Sequence, residues 1–183
     1  YDRLGSKITY DTPATKHNDF AGSMYYAEKI FTSRNLLAGL QEETCVCAGY
    51  SDILRNALLM VGIDARYNGG ACINKRDGSR GGHAWNQVLL DDGTGTGTKK
   101  WYYTDLTWDA GTHGYDWTLL GDENFKSHAY RDLKGYSITH DITDSQNAET
   151  CTRDDYDRTL LREAFARARA RNQGYDYMNP GIT

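Results

Sequence analysis

Apolar residues recur at helical spacing in three stretches of the chain. Phe20, Met24, Ala27, Ile30 and Phe31 are spaced by threes and fours and predict a helix over 19–33. Leu36, Leu37 and Leu40 continue that pattern up to Gln41-Glu42-Glu43. Tyr50, Ile53, Leu54, Ala57, Leu58 and Val61 predict a helix over 47–61 with one buried face, and Gly62 stands where such a helix stops. Tyr156, Leu160, Leu161, Ala164, Phe165 and Ala168 predict a last helix over 154–172, with Gly174 just beyond. Residues 1–18 read as the end of a helix or an extended lead-in, broken around Asp11-Thr12-Pro13.

After Gly62 the texture changes. Segments near 64–74, 82–90 and 99–107 are rich in Tyr, Trp, Val, Ile and Thr, and glycine clusters separate them as in hairpin-linked strands. Turns and short helices are expected over 109–150. Helices, then a run of strands, then a closing helix predict an α+β domain with a largely antiparallel sheet. No repeat and no long linker interrupts the chain, so 1–183 is expected to be one domain.

Composition narrows the partners. A formal charge of −4 argues against nucleic acid, whose binders carry a basic excess. No run approaches the ~18 apolar residues of a membrane span. Four cysteines (Cys45, Cys47, Cys72 and Cys151) are too few for a disulfide scaffold but allow a bridge or two, or none. Because the chain begins at Tyr1, it is expected to be a mature fragment or an excised domain.

Cys47 opens the 47–61 helix, where unpaired N–H groups and the helix dipole favour an anion and so stabilise a thiolate. The same N–H groups could serve a tetrahedral oxyanion. A lone cysteine is more often a small buried hydrophobe, so the chemistry depends on a partner. His83 opens the strand-like run His83-Ala84-Trp85-Asn86-Gln87-Val88-Leu89-Leu90, and Trp101 to Trp108 forms the next. Folding the pair about Thr94 and Gly95 sets His83 almost opposite Asp105, about 5 Å away across neighbouring strands. There the carboxylate would orient the imidazole and support its charged form. A slip of one residue would put the two on opposite faces, and a half-exposed His beside a turn carboxylate is the plainer alternative. Asp109, the competing acid, lies about 13 Å further along an extended strand.

Cys47-Ala48-Gly49-Tyr50-Ser51, Gly62-Ile63-Asp64-Ala65-Arg66, His83-Ala84-Trp85-Asn86 and Tyr103-Thr104-Asp105-Leu106-Thr107-Trp108-Asp109 together resemble the core of the transglutaminase-like superfamily. The likeness covers about residues 30–130. It implies a papain-like fold, with the cysteine at a helix N-terminus packed on an antiparallel sheet that carries His and Asp. It implies the catalytic roles of Cys47, His83 and Asp105, a peptide or protein substrate, and an extracellular or cell-surface location. Bacterial domains of this texture resemble presumed peptidases, so hydrolysis is expected over amine transfer by a transglutaminase or an inactive binding module. Gln41 stands ahead of Cys47 where papain-like enzymes place an oxyanion donor, although a polar loop residue is the simpler interpretation.

The remaining motifs read as structure. Cys45, Cys47, Cys72 and His83 offer four soft ligands, but C-x-C is not the usual zinc spacing, and no metal or cofactor is expected. Gly93 to Lys100 lacks the phosphate-loop spacing and reads as a hairpin tip. Arg162, Arg167, Arg169 and Arg171 read as a solvated helix face. Trp85 and Trp108 are expected in the core more than on a cleft wall.

Overall fold

The computed structural model describes residues 1–13, 34, 38–112, 114–131, 135–143, 145 and 148–173; the helix expected over 19–33 lies outside them. The chain opens with α1 (Asp2–Lys7) and β1 (Thr9–Tyr10). A π-helical turn at Ala38–Glu42 leads into β2 (Thr44–Cys45), which pairs with β1 in parallel. Helix α2 (Cys47–Met60) starts directly after the extended Val46, matching the apolar periodicity of its sequence. Its end is a Schellman closure: Gly62 N–H donates to Leu59 O, and Ile63 N–H donates to Leu58 O. Gly62 takes φ +79, a conformation glycine adopts without steric cost.

Five strands form one antiparallel sheet, β3 (Ala65–Asn74), β4 (Arg80–Asp91), β5 (Lys99–Thr104), β6 (Tyr130–Arg131) and β7 (Ser137–Asp141), in the order β5-β4-β3-β7-β6. The Gly93–Thr98 stretch is the tip of the β4–β5 hairpin, as its glycines predict. Two expectations need correcting. The third strand was expected to reach 107, but it stops at Thr104. There Asp105 accepts the Trp108 N–H on Oδ1 at 3.2 Å and so caps a helix, α3 (Leu106–Thr112). The 109–150 stretch contains α4 (Asp122–Ser127), and it also supplies β6 and β7, so the sheet has two strands more than the sequence reading gave it.

Alternation along β4 separates two layers. Asn86 and Val88 turn towards α2, and Trp85 turns into an aromatic cluster with Tyr103, Trp108, Trp117, Leu120 and Phe125. On the other side Ile8, Cys45, Tyr50, Ile53, Leu54 and Leu106 join α1, α2 and α3. The last helix, α5 (Arg158–Gln173), starts later than expected because Asp157 Oδ1 accepts the N–H groups of Thr159 and Leu160. Leu161 and Phe165 fasten it to Val88, Tyr102 and Leu119, and its arginines 162, 167, 169 and 171 are exposed. Among the described residues no helix is long and apolar enough to cross a membrane.

Gly70 sits where β3 faces the aromatic cluster. A Cβ there would lie 2.4 Å from Trp85 Cη2 and 3.3 Å from Asp141 O, whereas one at Gly82 would meet nothing within 4 Å. Gly70→Ala is therefore expected to cost about 1–3 kcal/mol by overpacking, and Gly82→Ala to leave stability nearly unchanged. Denaturant midpoints of the two variants check this.

Candidate active site

Cys47 is the first residue of α2, and no side chain caps that helix start, so the positive end of the helix lies open beside the sulfur. Asn86 fixes α2 against the sheet: its Nδ2 donates to Ser51 O at 2.9 Å and to Arg66 O at 3.1 Å. One buried amide thus ties the cysteine helix to β4 and β3, three residues from His83 along the same strand.

His83 Nε2 meets Asp105 Oδ2 at 2.6 Å, both side chains being buried. With Nε2 committed to the carboxylate, Nδ1 is the nitrogen left for sulfur, and the imidazole lies close enough to Cys47 for its charge to act on the thiol. The Ala84 backbone also favours the thiolate form of that sulfur. The structure therefore brings Cys47, His83 and Asp105 together at one place. Its route differs in detail from a directly facing pair. The ladder runs from Asp91↔Lys99 to Asn86↔Thr104 and centres on Gly95. Continued, it sets Asp105 opposite Trp85 and diagonal to His83. The two keep the same parity, hence the same face, and their side chains close the diagonal.

Electrostatics follow from that arrangement. Burial alone would raise the Cys47 thiol, but the charge and hydrogen bond of His83 and the Ala84 contact outweigh it and hold the thiol below its ordinary value. Burial opposes charge on His83 too. There Asp105 and Cys47 prevail and lift the imidazole well above its usual range. Burial likewise works against the Asp105 carboxylate, which the two neighbouring imidazoles hold well below the usual acid range. All three shifts favour a thiolate–imidazolium pair backed by a carboxylate.

A residue the sequence did not single out completes the group. His140 on β7 places Nε2 2.9 Å from the same Asp105 Oδ2. Its only local signal was the short alternation Ile138, His140, Ile142 within a stretch expected to be turns. Trp108 covers both imidazoles, at 4.9 Å and 18° to His83 and 4.0 Å to His140, so it is a core residue that also walls the site. Trp85 is fully buried in the core. Ligating atoms of His83, Asp105 and His140 lie within 4.8 Å of one another, and among the described residues this trio has the spacing to hold a metal ion. The Nε2 atoms of both histidines are already spent on one carboxylate oxygen, and that pairing accounts for the cluster without an ion.

Other candidates lie elsewhere. Asp109 is on α3 rather than on an extended strand, and it accepts from Tyr1 Oη, Thr118 Oγ1 and Trp117 N; burial pushes it up to about 7. Gln41 is exposed on the 38–42 turn. All four cysteines are free thiols. Cys45 packs in the core behind α2, where burial pushes it up to about 12, as burial does Cys151. Tyr10 and Tyr67, 39% and 40% exposed, lie near enough to Cys47 for its charge to add to burial in raising their phenols.

A family model described as the transglutaminase-like superfamily matches residues 1–106, a span that holds Cys47, His83 and Asp105 and ends before His140. Among solved structures the chain is similar to one described as a TGase, with 21% identity and a TM-score of 0.41, over 57% of this chain and 23% of that one. The chain thus spans less than a quarter of that protein's length. No curated protein matches it.

Iodoacetamide should modify Cys47 at neutral pH on the order of tenfold or more faster than an ordinary thiol of pKa about 8.5, while Cys45 and Cys151 stay unmodified. The rate should rise at a lower pH than that of an ordinary thiol, because His83 holds the Cys47 thiol down. His83→Ala should delay its rise to the ordinary thiol range. Peptide-resolved mass spectrometry over a pH series measures all of these.

Proposed function

We propose that this chain, which belongs to the transglutaminase-like superfamily, is a thiol-dependent amide hydrolase acting on peptide or protein amides through a Cys47 thioester. Members of the superfamily are generally cysteine-dependent acyltransferases or peptidases. The observation that carries the proposal is the His83–Asp105 hydrogen bond beside Cys47, with the thiol held low and the imidazole held high.

The Cys47 thiolate attacks the amide carbonyl carbon and a C–S bond forms. The developing oxyanion falls at the uncapped start of α2, where N–H dipoles oppose its charge. His83 passes its proton to the leaving nitrogen, the C–N bond breaks and the amine departs. Water then gives a proton back to the neutral His83 and attacks the thioester. The C–S bond breaks, releasing the acid and restoring the thiolate. Asp105 keeps the ring oriented and supports its charge in both halves.

Hydrolysis requires water at the thioester, whereas amine transfer gains from excluding it. Cys47 is only half-buried and its tyrosine neighbours Tyr10 and Tyr67 are exposed, which supports water as the acceptor. The same proposal treats 1–183 as a single domain that acts outside the cell or at its surface. Limited proteolysis and fractionation of the full-length product test those two points.

Incubating wild type and Cys47→Ala with a protein mixture and a labelled primary amine separates the possibilities. New termini in the wild type alone are expected. Amine incorporation instead would make the chain a cross-linking transglutaminase, and neither product would leave a binding module. Asp105→Asn keeps a side-chain oxygen for the α3 cap but loses the charge, so kcat should fall by roughly 10³–10⁴ with modest change in KM.

A further inference from the structure

We propose that His140 is a positioning residue for this site, holding the Asp105 carboxylate in place through Nε2–H so that Asp105 in turn orients His83. The proposal rests on the Cys47–His83–Asp105 chain and extends it by one member, from a strand beyond the segment the family model covers.

Two imidazole nitrogens converge on one oxygen, His83 Nε2 at 2.6 Å and His140 Nε2 at 2.9 Å from Asp105 Oδ2. Both the His140 and Asp105 side chains are 0% exposed, so no solvent can stand in for either hydrogen bond. An ionised carboxylate accepts and never donates, so His140 must present Nε2–H, which fixes its tautomer. The ring has little freedom to leave. Phe125 stacks on it at 3.8 Å and 18°, Trp108 lies at 4.0 Å, and Trp85 meets its edge at 5.2 Å. Pairing of β7 with β3 sets His140 opposite Cys72 and delivers the ring to this spot.

Charge accounting supports the assignment. The ionisable groups facing His140 are Asp105 from the β5–α3 junction, His83 from β4 and Cys72 from β3; α4 offers Phe125, whose ring is apolar and whose backbone favours the charged imidazole but is outweighed by burial. Thiolate, imidazolium and carboxylate already sum to one negative charge, and His140 adds a neutral donor, since burial pushes it down to about 4. Without that donor, Oδ2 would keep a lone pair aimed into an aromatic cluster, and a buried carboxylate short of a partner rotates or takes up a proton. Either response weakens its hold on His83 and lets the Cys47 thiol rise. A histidine present only to fill the core would have no such reach to the sulfur.

The pH profile of Cys47 alkylation tests this without any substrate. His140→Phe retains the aromatic packing and removes the donor; His140→Gln restores an N–H. Expected are a shift of the alkylation onset upwards by about one pH unit in His140→Phe and recovery of at least half of it in His140→Gln. A His140→Phe profile superimposable on wild type overturns the proposal, as does a His140→Gln profile no better than that of His140→Phe. In the wild type, ¹⁵N ring shifts should show His140 neutral and Nε2-protonated at about pH 6; a charged ring or the Nδ1–H tautomer overturns the proposal, whether or not His140→Phe folds. If wild-type Cys47 itself titrates as an ordinary thiol, the triad falls and this extension with it. A depressed wild-type thiol indifferent to His140 removes the extension alone.

Discussion

A carboxylate buried to zero exposure organises this molecule. Ionised Asp105 inside a cluster of Trp108, Trp117 and Phe125 is tolerable only if its oxygens are fully engaged. The structure supplies the partners from three directions. Trp108 N–H from the helix it caps takes Oδ1, and His83 and His140 share Oδ2. Its backbone N–H donates to Trp117 O, fastening the 114–120 segment across the end of β5. Helix start, strand end and hydrogen-bonded imidazoles are therefore consequences of burying one charge at one junction.

From that junction the electrostatics run outward to the sulfur. Each group on the path, taken alone, is pushed by burial towards its neutral form, and in each of the three the neighbours win. The outcome depends on short distances in a region of low dielectric, where alternating charges strengthen one another. It also depends on α2 being held in register with β4, which is the role of Asn86, whose one amide group joins two backbone carbonyls from different elements. Cys45, two residues before Cys47 and chemically identical, shows the contrast. Buried without an imidazole, its thiol is pushed to about 12.

The layers divide the work. Alternate residues of β4 serve the α2 side and the aromatic side, so one strand carries both the tie to the Cys47 helix and the tryptophan that packs the opposite layer. The aromatic layer excludes water from the carboxylate, and the half-buried Cys47 remains at its edge. The carboxylate and the thiol thus sit at different depths, one dry and the other at the edge of the layer.

Much of this was legible in the residues. Apolar periodicity and Gly62 bounded α2 to within one residue, so that Cys47 stood at its start. Alternation and glycine spacing marked β3, β4 and their hairpin partner, and folding the hairpin about its tip brought His83 and Asp105 close, with the shared face left to the register. These properties are local: a helix face, a strand face and a turn are written in residues a few positions apart. Folding decided what depends on distant pairing. The two-residue offset that makes His83 and Asp105 diagonal, the capping that turns Asp109 from a strand residue into a helical one, and the arrival of His140 through β7 all depend on the pairing of segments far apart in the chain. Strand pairing at that separation is chosen by the packing of whole layers and leaves no period in the sequence, so the residues announced Cys47 and His83 but only the assembled sheet revealed everything that holds them.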